Sequence, residues 1–116
     1  MNSLVKSLTW ILGIVLLLVG ILGFVNNPVL GLFQVDTIHN AIHILSGIVA
    51  LVAVSSGESA ARLYLIVFGI VYGLVTILGF MNGGNVLNLI MVNQADNYLH
   101  AAISIVCLGV GFGSKK

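Results

Sequence analysis

Two short stretches of this 116-residue chain carry polar side chains at the spacing of one helix face. Residues three and four apart in a helix project from the same side. The side chains that share this spacing are His39, Asn40 and His43 in the first stretch and Asp96, Asn97 and His100 in the second. Three imidazoles and one carboxylate suit zinc or another divalent transition metal. The candidate metal ligands are therefore His39, His43, Asp96 and His100.

Other uses of the same residues stay open. His43 and His100 could be the two axial ligands of haem b if they approach from opposite helices. The whole set could instead form side-chain hydrogen bonds that fix helix register, and this structural interpretation is the favoured one. A continuous ion path is not expected, because the polar positions stop at Ser46 and Ser104 and apolar residues follow.

The elements that must position these side chains are membrane-spanning helices. The chain is 59% hydrophobic and 6% charged, whereas a soluble domain is about 25% charged. A span needs roughly 20 apolar residues. The sequence therefore predicts an all-α, polytopic membrane four-helix bundle that forms a single domain over residues 1–116. Its spans are expected at about residues 8–25, 35–54, 63–80 and 95–112.

The two halves of the chain resemble each other, which predicts two tandem helical hairpins. Gly20–Asn26 matches Thr76–Asn82, and His43 matches His100. Two spans per copy give both copies the same orientation, so a parallel pseudo-two-fold axis should relate them. Repeat 1 covers about residues 8–55 and repeat 2 about residues 62–112.

Two further features concern loops and packing. The segments Val29–Phe33 and Val86–Met91 are too apolar to extend into water and too short to span, so they are expected to lie at the membrane interface. Gly69 and Gly73 form a small-xxx-small pair, which favours close helix packing within the chain or between chains.

The basic residues predict the orientation. Lys6, Arg62, Lys115 and Lys116 all fall on one side of the predicted topology. The positive-inside rule then places both termini in the cytoplasm, with the chain in the cytoplasmic (inner) membrane. The net charge of +1 gives no reason to expect nucleic acid as a partner. The sequence contains neither a nucleophile elbow nor a phosphate-binding glycine loop, so an enzyme is not the favoured class.

Four segments together resemble the signature of a bacterial family of small membrane proteins, domain of unknown function 4383 (DUF4383). They are Gly31–Gly47, Ala61–Tyr64, Ile77–Phe80 and Val92–His100. The resemblance covers nearly the whole chain and implies a four-helix membrane protein without assigning an activity.

Two hypotheses of function follow. The first is a non-enzymatic inner-membrane protein, either an accessory subunit of a larger membrane complex or a homo-oligomer, with lipid and other membrane subunits as its partners. The second is a membrane protein that uses the His/Asn/Asp cluster to bind a metal or haem, with a redox role left open.

Overall fold

Four long helices make up most of the computed structural model, which describes residues 3–114. They are α1 (Leu4–Val25), α2 (Thr37–Ser56), α3 (Glu58–Met81) and α4 (Gln94–Gly113). Each is long and apolar enough to cross a membrane. The molecule is 40 Å long, close to the full thickness of a bilayer with its headgroups. The prediction of an all-α membrane four-helix bundle is confirmed.

Helices α1, α2 and α4 begin where a side chain accepts a hydrogen bond from a free backbone N–H group. The Ser3 hydroxyl accepts a bond from the backbone N–H of Lys6, so α1 starts four residues before the predicted span. The Asp36 carboxylate does the same for α2. Asn93 starts α4 through a reciprocal capping box with Asp96. Such caps satisfy donors that have no partner inside the helix.

A single residue, Gly57, connects α2 to α3. Its φ of +129° and ψ of 178° fall in a region that is almost restricted to glycine. Ser55 and Glu58 have the spacing of a capping box. They do not form one, because Ser55 still belongs to α2 and no side chain within residues 3–114 caps α3.

The end of the bundle that contains Gly57 is called here the short-loop end. Arg62 lies there, 3.8 Å from the Glu58 carboxylate. Its guanidinium also donates hydrogen bonds to the carbonyl oxygens of Gly111 and Ser114, at 2.7 Å and 3.0 Å. Arg62 thus binds the last carbonyls of α4, a position where a cation is favourable. Lys115 and Lys116, which the orientation prediction also uses, lie outside the described residues.

The opposite end, formed by residues 26–36 and 82–93, is called the long-loop end. The first loop closes on itself through a bridge between Val29 and Phe33. The second contains two short antiparallel strands, β1 (Asn85–Val86) and β2 (Ile90–Met91). Val29, Val86 and Ile90 point into the bundle and are buried, so both loops cover its end.

Side-chain hydrogen bonds tie the two loops together. The Met91 backbone N–H donates to the Asp36 carboxylate at 3.1 Å, and the Asn93 side chain donates to the carbonyl oxygen of Leu32 at 2.9 Å. These bonds join the α1–α2 hairpin to the α3–α4 hairpin.

The closest helix neighbours are α1 with α2 and α3 with α4. Gly69 and Gly73 lie on the face of α3 that meets α4. A Cβ atom at Gly69 would lie 2.8 Å from the Leu108 side chain, and one at Gly73 would lie 2.9 Å from the Ser104 hydroxyl. That hydroxyl donates a hydrogen bond to the Gly69 carbonyl at 2.6 Å. This pair therefore packs within the chain.

The interior is layered. An apolar core near the short-loop end consists of Val5, Ala50, Val54, Ala61, Tyr64, Leu65 and Cys107. A smaller apolar group, Val86, Ile90 and Val92, lies near the long-loop end. Between these two groups, the buried side chains are mostly polar. The pseudo-two-fold relation between the hairpins stays a prediction from the sequence.

Candidate metal centre

Three histidines meet in the polar layer. The ring centroids of His39 and His43 are 4.4 Å apart, and the His100 ring lies 5.4 Å from the first and 5.9 Å from the second. One ring nitrogen from each residue lies within 4.8 Å of the other two. Two nitrogens bound to one zinc ion at about 2.0–2.1 Å are at most about 4.2 Å apart, so small rotations of the rings would bring all three onto one ion.

Two different helices supply these rings. His39 and His43 are one turn apart on α2, so their side chains leave the same face. The Asp36 carboxylate accepts a hydrogen bond from the backbone N–H of His39 at 2.8 Å, which fixes the start of that helix. His100 reaches the same point from α4, whose first turn is held by the capping box. The rings are therefore positioned by two capped helix ends.

All three imidazoles are buried, and none has a hydrogen bond within the described part of the chain. Their exposed fractions are 1% for His39, 2% for His43 and 1% for His100. Within residues 3–114, no group hydrogen-bonds to any of their six ring nitrogens. A buried polar atom without a partner costs roughly 1–3 kcal/mol. A metal ion would bind several ring nitrogens that lie together and have no other partner.

Asp96, the fourth predicted metal ligand, forms part of a helix cap instead of joining the histidines. Its Oδ2 accepts a hydrogen bond from the backbone N–H of Asn93 at 3.0 Å, and its own N–H donates to the Asn93 side chain at 2.9 Å. Asp96 does not belong to the group of three histidines. Its Oδ1 is buried and has no hydrogen-bond partner among the described residues. The structure thus brings together three of the four predicted ligands and uses the fourth in a helix cap.

Asn40 and Asn97 occupy equivalent positions in the two halves of the chain, and the described part of the structure has no hydrogen bond between them. Their Oδ1 atoms are buried and have no hydrogen-bond partner within residues 3–114. Asn40 packs against Gly23 and Asn97 against Gly79, in each case on the preceding helix. The Asn97 side chain donates a hydrogen bond to the Gln94 side chain at 3.3 Å. These asparagines border the histidine group rather than complete it.

The predicted site includes no tyrosine, but Tyr72 of α3 borders the histidines and Tyr64 of the same helix binds Ser46, one turn after His43. The Tyr72 ring lies 5.4 Å from the His100 ring, and its hydroxyl donates to the Ser46 hydroxyl at 3.2 Å. The Tyr64 hydroxyl donates to the Ser46 carbonyl at 2.9 Å. The spacing of eight residues places both tyrosines on one face, a signal that the sequence contains.

The chain matches the model of a family described as a domain of unknown function (DUF4383) over residues 6–113. It belongs to that family. No curated protein and no solved structure matches it. The family description assigns no activity, so the function of this DUF4383 protein has to be inferred from its own site.

A cavity of about 120 Å³ adjoins the three histidines of this DUF4383 protein. It lies between α2 and α3, with His100 of α4 at its back and Ile90 of β2 at one end. The remaining lining residues are His39, Ile42, His43, Leu45, Ser46, Phe68, Val71, Tyr72 and Val75. One side of the histidine group therefore packs against protein, and another side faces this cavity.

Proposed function

We propose that this protein binds one transition-metal ion inside the membrane through His39, His43 and His100. The observation that supports the proposal is the convergence of three buried imidazoles whose nitrogens have no other partner among the described residues. A bound metal would form coordinate bonds to up to three of these ring nitrogens, which would then no longer be unsatisfied acceptors. Ionisable residues buried in membrane spans generally have functional roles.

The alternative, that the histidines only fix the register of the helices, explains their arrangement less well. Side chains that fix helix register do so through hydrogen bonds between helices. Ser104 on α4 and Tyr64 on α3 make such bonds, to α3 and α2 respectively. The three histidines make none within the described part of the chain. Apolar residues of similar volume would stabilise the bundle better if packing were their only task.

The donor set favours zinc or another ion that binds imidazole well, such as copper. Three histidines with a fourth position open to ligand are a known zinc arrangement. Asp96, one turn before His100 on α4, has a carboxylate oxygen without a hydrogen-bond partner among the described residues. A negative group close to the site would offset the charge of a buried cation.

Haem b fits less well. A macrocycle held by His43 and His100 must pass between their rings. The His39 ring already lies 4.4 Å from one and 5.4 Å from the other. The same side chain that completes a three-histidine metal site therefore obstructs a haem site.

The membrane in which the protein lies and its orientation there are also part of the proposal. The basic residues Lys6 and Arg62 support an inner-membrane orientation with both termini in the cytoplasm. In that orientation the histidines lie in the half of the bilayer away from the cytoplasm. Association with other membrane subunits, or with further copies of the chain, stays a prediction.

Elemental analysis of the purified protein tests the metal proposal. We expect about one zinc or copper ion per chain after reconstitution, and loss of most of it in His43→Ala and His100→Ala. Cys107→Ser is the matched control, since Cys107 is buried in the apolar core away from the histidines and should leave metal content unchanged.

Histidine variants that fail to fold would not decide the question, so a second measurement uses the unaltered chain. Titration with Co(II) should produce the intense visible absorption of a tetrahedral site, with an endpoint near one ion per chain. Unaltered protein that is folded, binds no metal in either experiment and shows no cobalt spectrum would disprove the proposal.

A further inference from the structure

We infer that the metal centre takes a neutral, lipid-soluble ligand about the size of one aromatic ring, which enters between α2 and α3 from the membrane. The inference rests on the proposed metal site and adds the class of molecule that reaches it. It is supported by the lining, the opening and the size of the cavity beside the histidines.

The cavity walls exclude charged ligands. Its side walls are the apolar side chains of Ile42 and Leu45 on α2 and of Phe68, Val71 and Val75 on α3. Tyr72 and Ser46 also line it, and their hydroxyl groups bond to each other. The cavity surface is almost wholly apolar, so a metal ion held by the three histidines would be the polar partner left for a ligand. An ion moved into such surroundings would lose its hydration without compensation.

The opening faces the lipid phase. Three wall residues form part of the outer surface of the bundle, with exposed fractions of 37% for Ile42, 62% for Leu45 and 42% for Val71. In a membrane span, that surface contacts acyl chains. The end toward the long loops is covered by Ile90, which is 5% exposed. A ligand therefore approaches sideways through the bilayer.

The size of the cavity sets the size of the ligand. About 120 Å³ is somewhat smaller than an engineered apolar cavity of about 150 Å³ that binds benzene. One six-membered ring fills this volume, and any longer substituent must extend through the opening. The ring needs one donor atom, since His39, His43 and His100 leave one position of a tetrahedral metal free.

Two matched probes test this chemistry. Methyl isonicotinate is neutral and lipid-soluble, and isonicotinate has the same ring and nitrogen donor but carries a negative charge. The Co(II)-loaded protein is placed in phosphatidylcholine nanodiscs, and each probe is titrated while the visible cobalt absorption is recorded. We expect a saturable shift with methyl isonicotinate and at least a tenfold weaker response to isonicotinate.

Two variants on adjacent α3 positions test the route. Val71→Phe adds volume at the cavity wall, and we expect at least a tenfold loss of affinity for methyl isonicotinate. Ile70→Phe is the control, because Ile70 is 50% exposed and does not line the cavity. Cobalt content is measured in both variants, and we expect it to remain near one ion per chain.

The outcomes separate the two proposals. If cobalt binds but both probes shift the spectrum equally, or neither does, the lipid-accessible site is disproved and the metal site stands. Equal affinity of Val71→Phe and Ile70→Phe for methyl isonicotinate would disprove the route. A chain that is folded and binds no cobalt overturns both the metal site and the ligand.

Discussion

The side-chain oxygen of Asn40 lies against Gly23, at a distance that leaves no room for a Cβ atom at that position. Gly79 and Asn97 show the same relationship in the other hairpin. In both cases a glycine near the end of one helix receives a polar side chain from the start of the next. These contacts set how closely the helices that carry the histidines approach their neighbours.

Gly23→Ala and Gly79→Ala should therefore each destabilise the bundle. The added methyl group forces the asparagine or the helix to move, and overpacking of this kind costs about 1–3 kcal/mol. The free energy of unfolding can be measured by titration with sodium dodecyl sulfate in mixed micelles. Metal content should fall in parallel, since His39 and His43 flank Asn40 on α2.

The control for these two variants is Gly109→Ala on α4. A Cβ atom at Gly109 would meet nothing within 4 Å. Alanine is favoured over glycine in a helix by about 0.8–1.0 kcal/mol. Equal or higher stability is therefore expected, and a loss as large as that of Gly23→Ala would show that any methyl group is harmful in these helices.

Asp36→Asn should loosen the contact between the two loops. One Asp36 oxygen caps α2 at the N–H of His39, and the other accepts the hydrogen bond from Met91. An asparagine keeps one acceptor but presents an NH₂ group in place of the other. We expect the helix cap to remain and the Met91 amide to exchange with deuterium at least fivefold faster.

Asp36→Ala should be the more severe change, because it removes the cap as well, at a cost of about 1 kcal/mol. Glu58→Gln is the control, since Glu58 is a carboxylate at the short-loop end. Its substitution should leave exchange at Met91 unchanged. If the Met91 amide exchanged at the same rate in Asp36→Asn as in the unaltered protein, the hydrogen bond between the loops would not protect that amide from exchange.

The predicted orientation can be tested by labelling. In a Cys107→Ser background, Asn82→Cys places a thiol at the long-loop end and Ser59→Cys places one at the short-loop end, both at exposed positions. A membrane-impermeant maleimide should label Asn82→Cys in spheroplasts and Ser59→Cys only after permeabilisation. The opposite pattern would place both termini outside the cytoplasm.

The sequence was sufficient for the four helices because long apolar runs have few other stable structures. It was also sufficient to group His39, His43 and His100, since helical spacing places the first two on one face of α2 and the cost of polar groups in lipid turns that face and the face with His100 inward. Asp96 was harder to assign. An aspartate three residues after Asn93 fits a capping box, and one turn before His100 it also fits a metal ligand.

The cavity could not be predicted in the same way. Its existence depends on α2 and α3 being adjacent and on Tyr72 turning toward Ser46. A pattern within one helix does not encode which helix lies next to it. Likewise, Asn40 and Asn97 each pack against a glycine of their own hairpin, a contact that the repeat alone does not indicate. Each asparagine therefore packs against the neighbouring helix of its own hairpin rather than pairing across the bundle.

The one-residue connection at Gly57 joins α2 and α3 at one end and leaves the cavity at a distance from that joint. His43 lies 13 residues before the end of α2, so it is roughly 20 Å from Gly57 at 1.5 Å per residue. At that distance, a difference of about 5° in the angle between the helices corresponds to roughly 2 Å between the walls of the cavity. The conformation of one glycine at the short-loop end therefore sets the width of a cavity in the other half of the bundle.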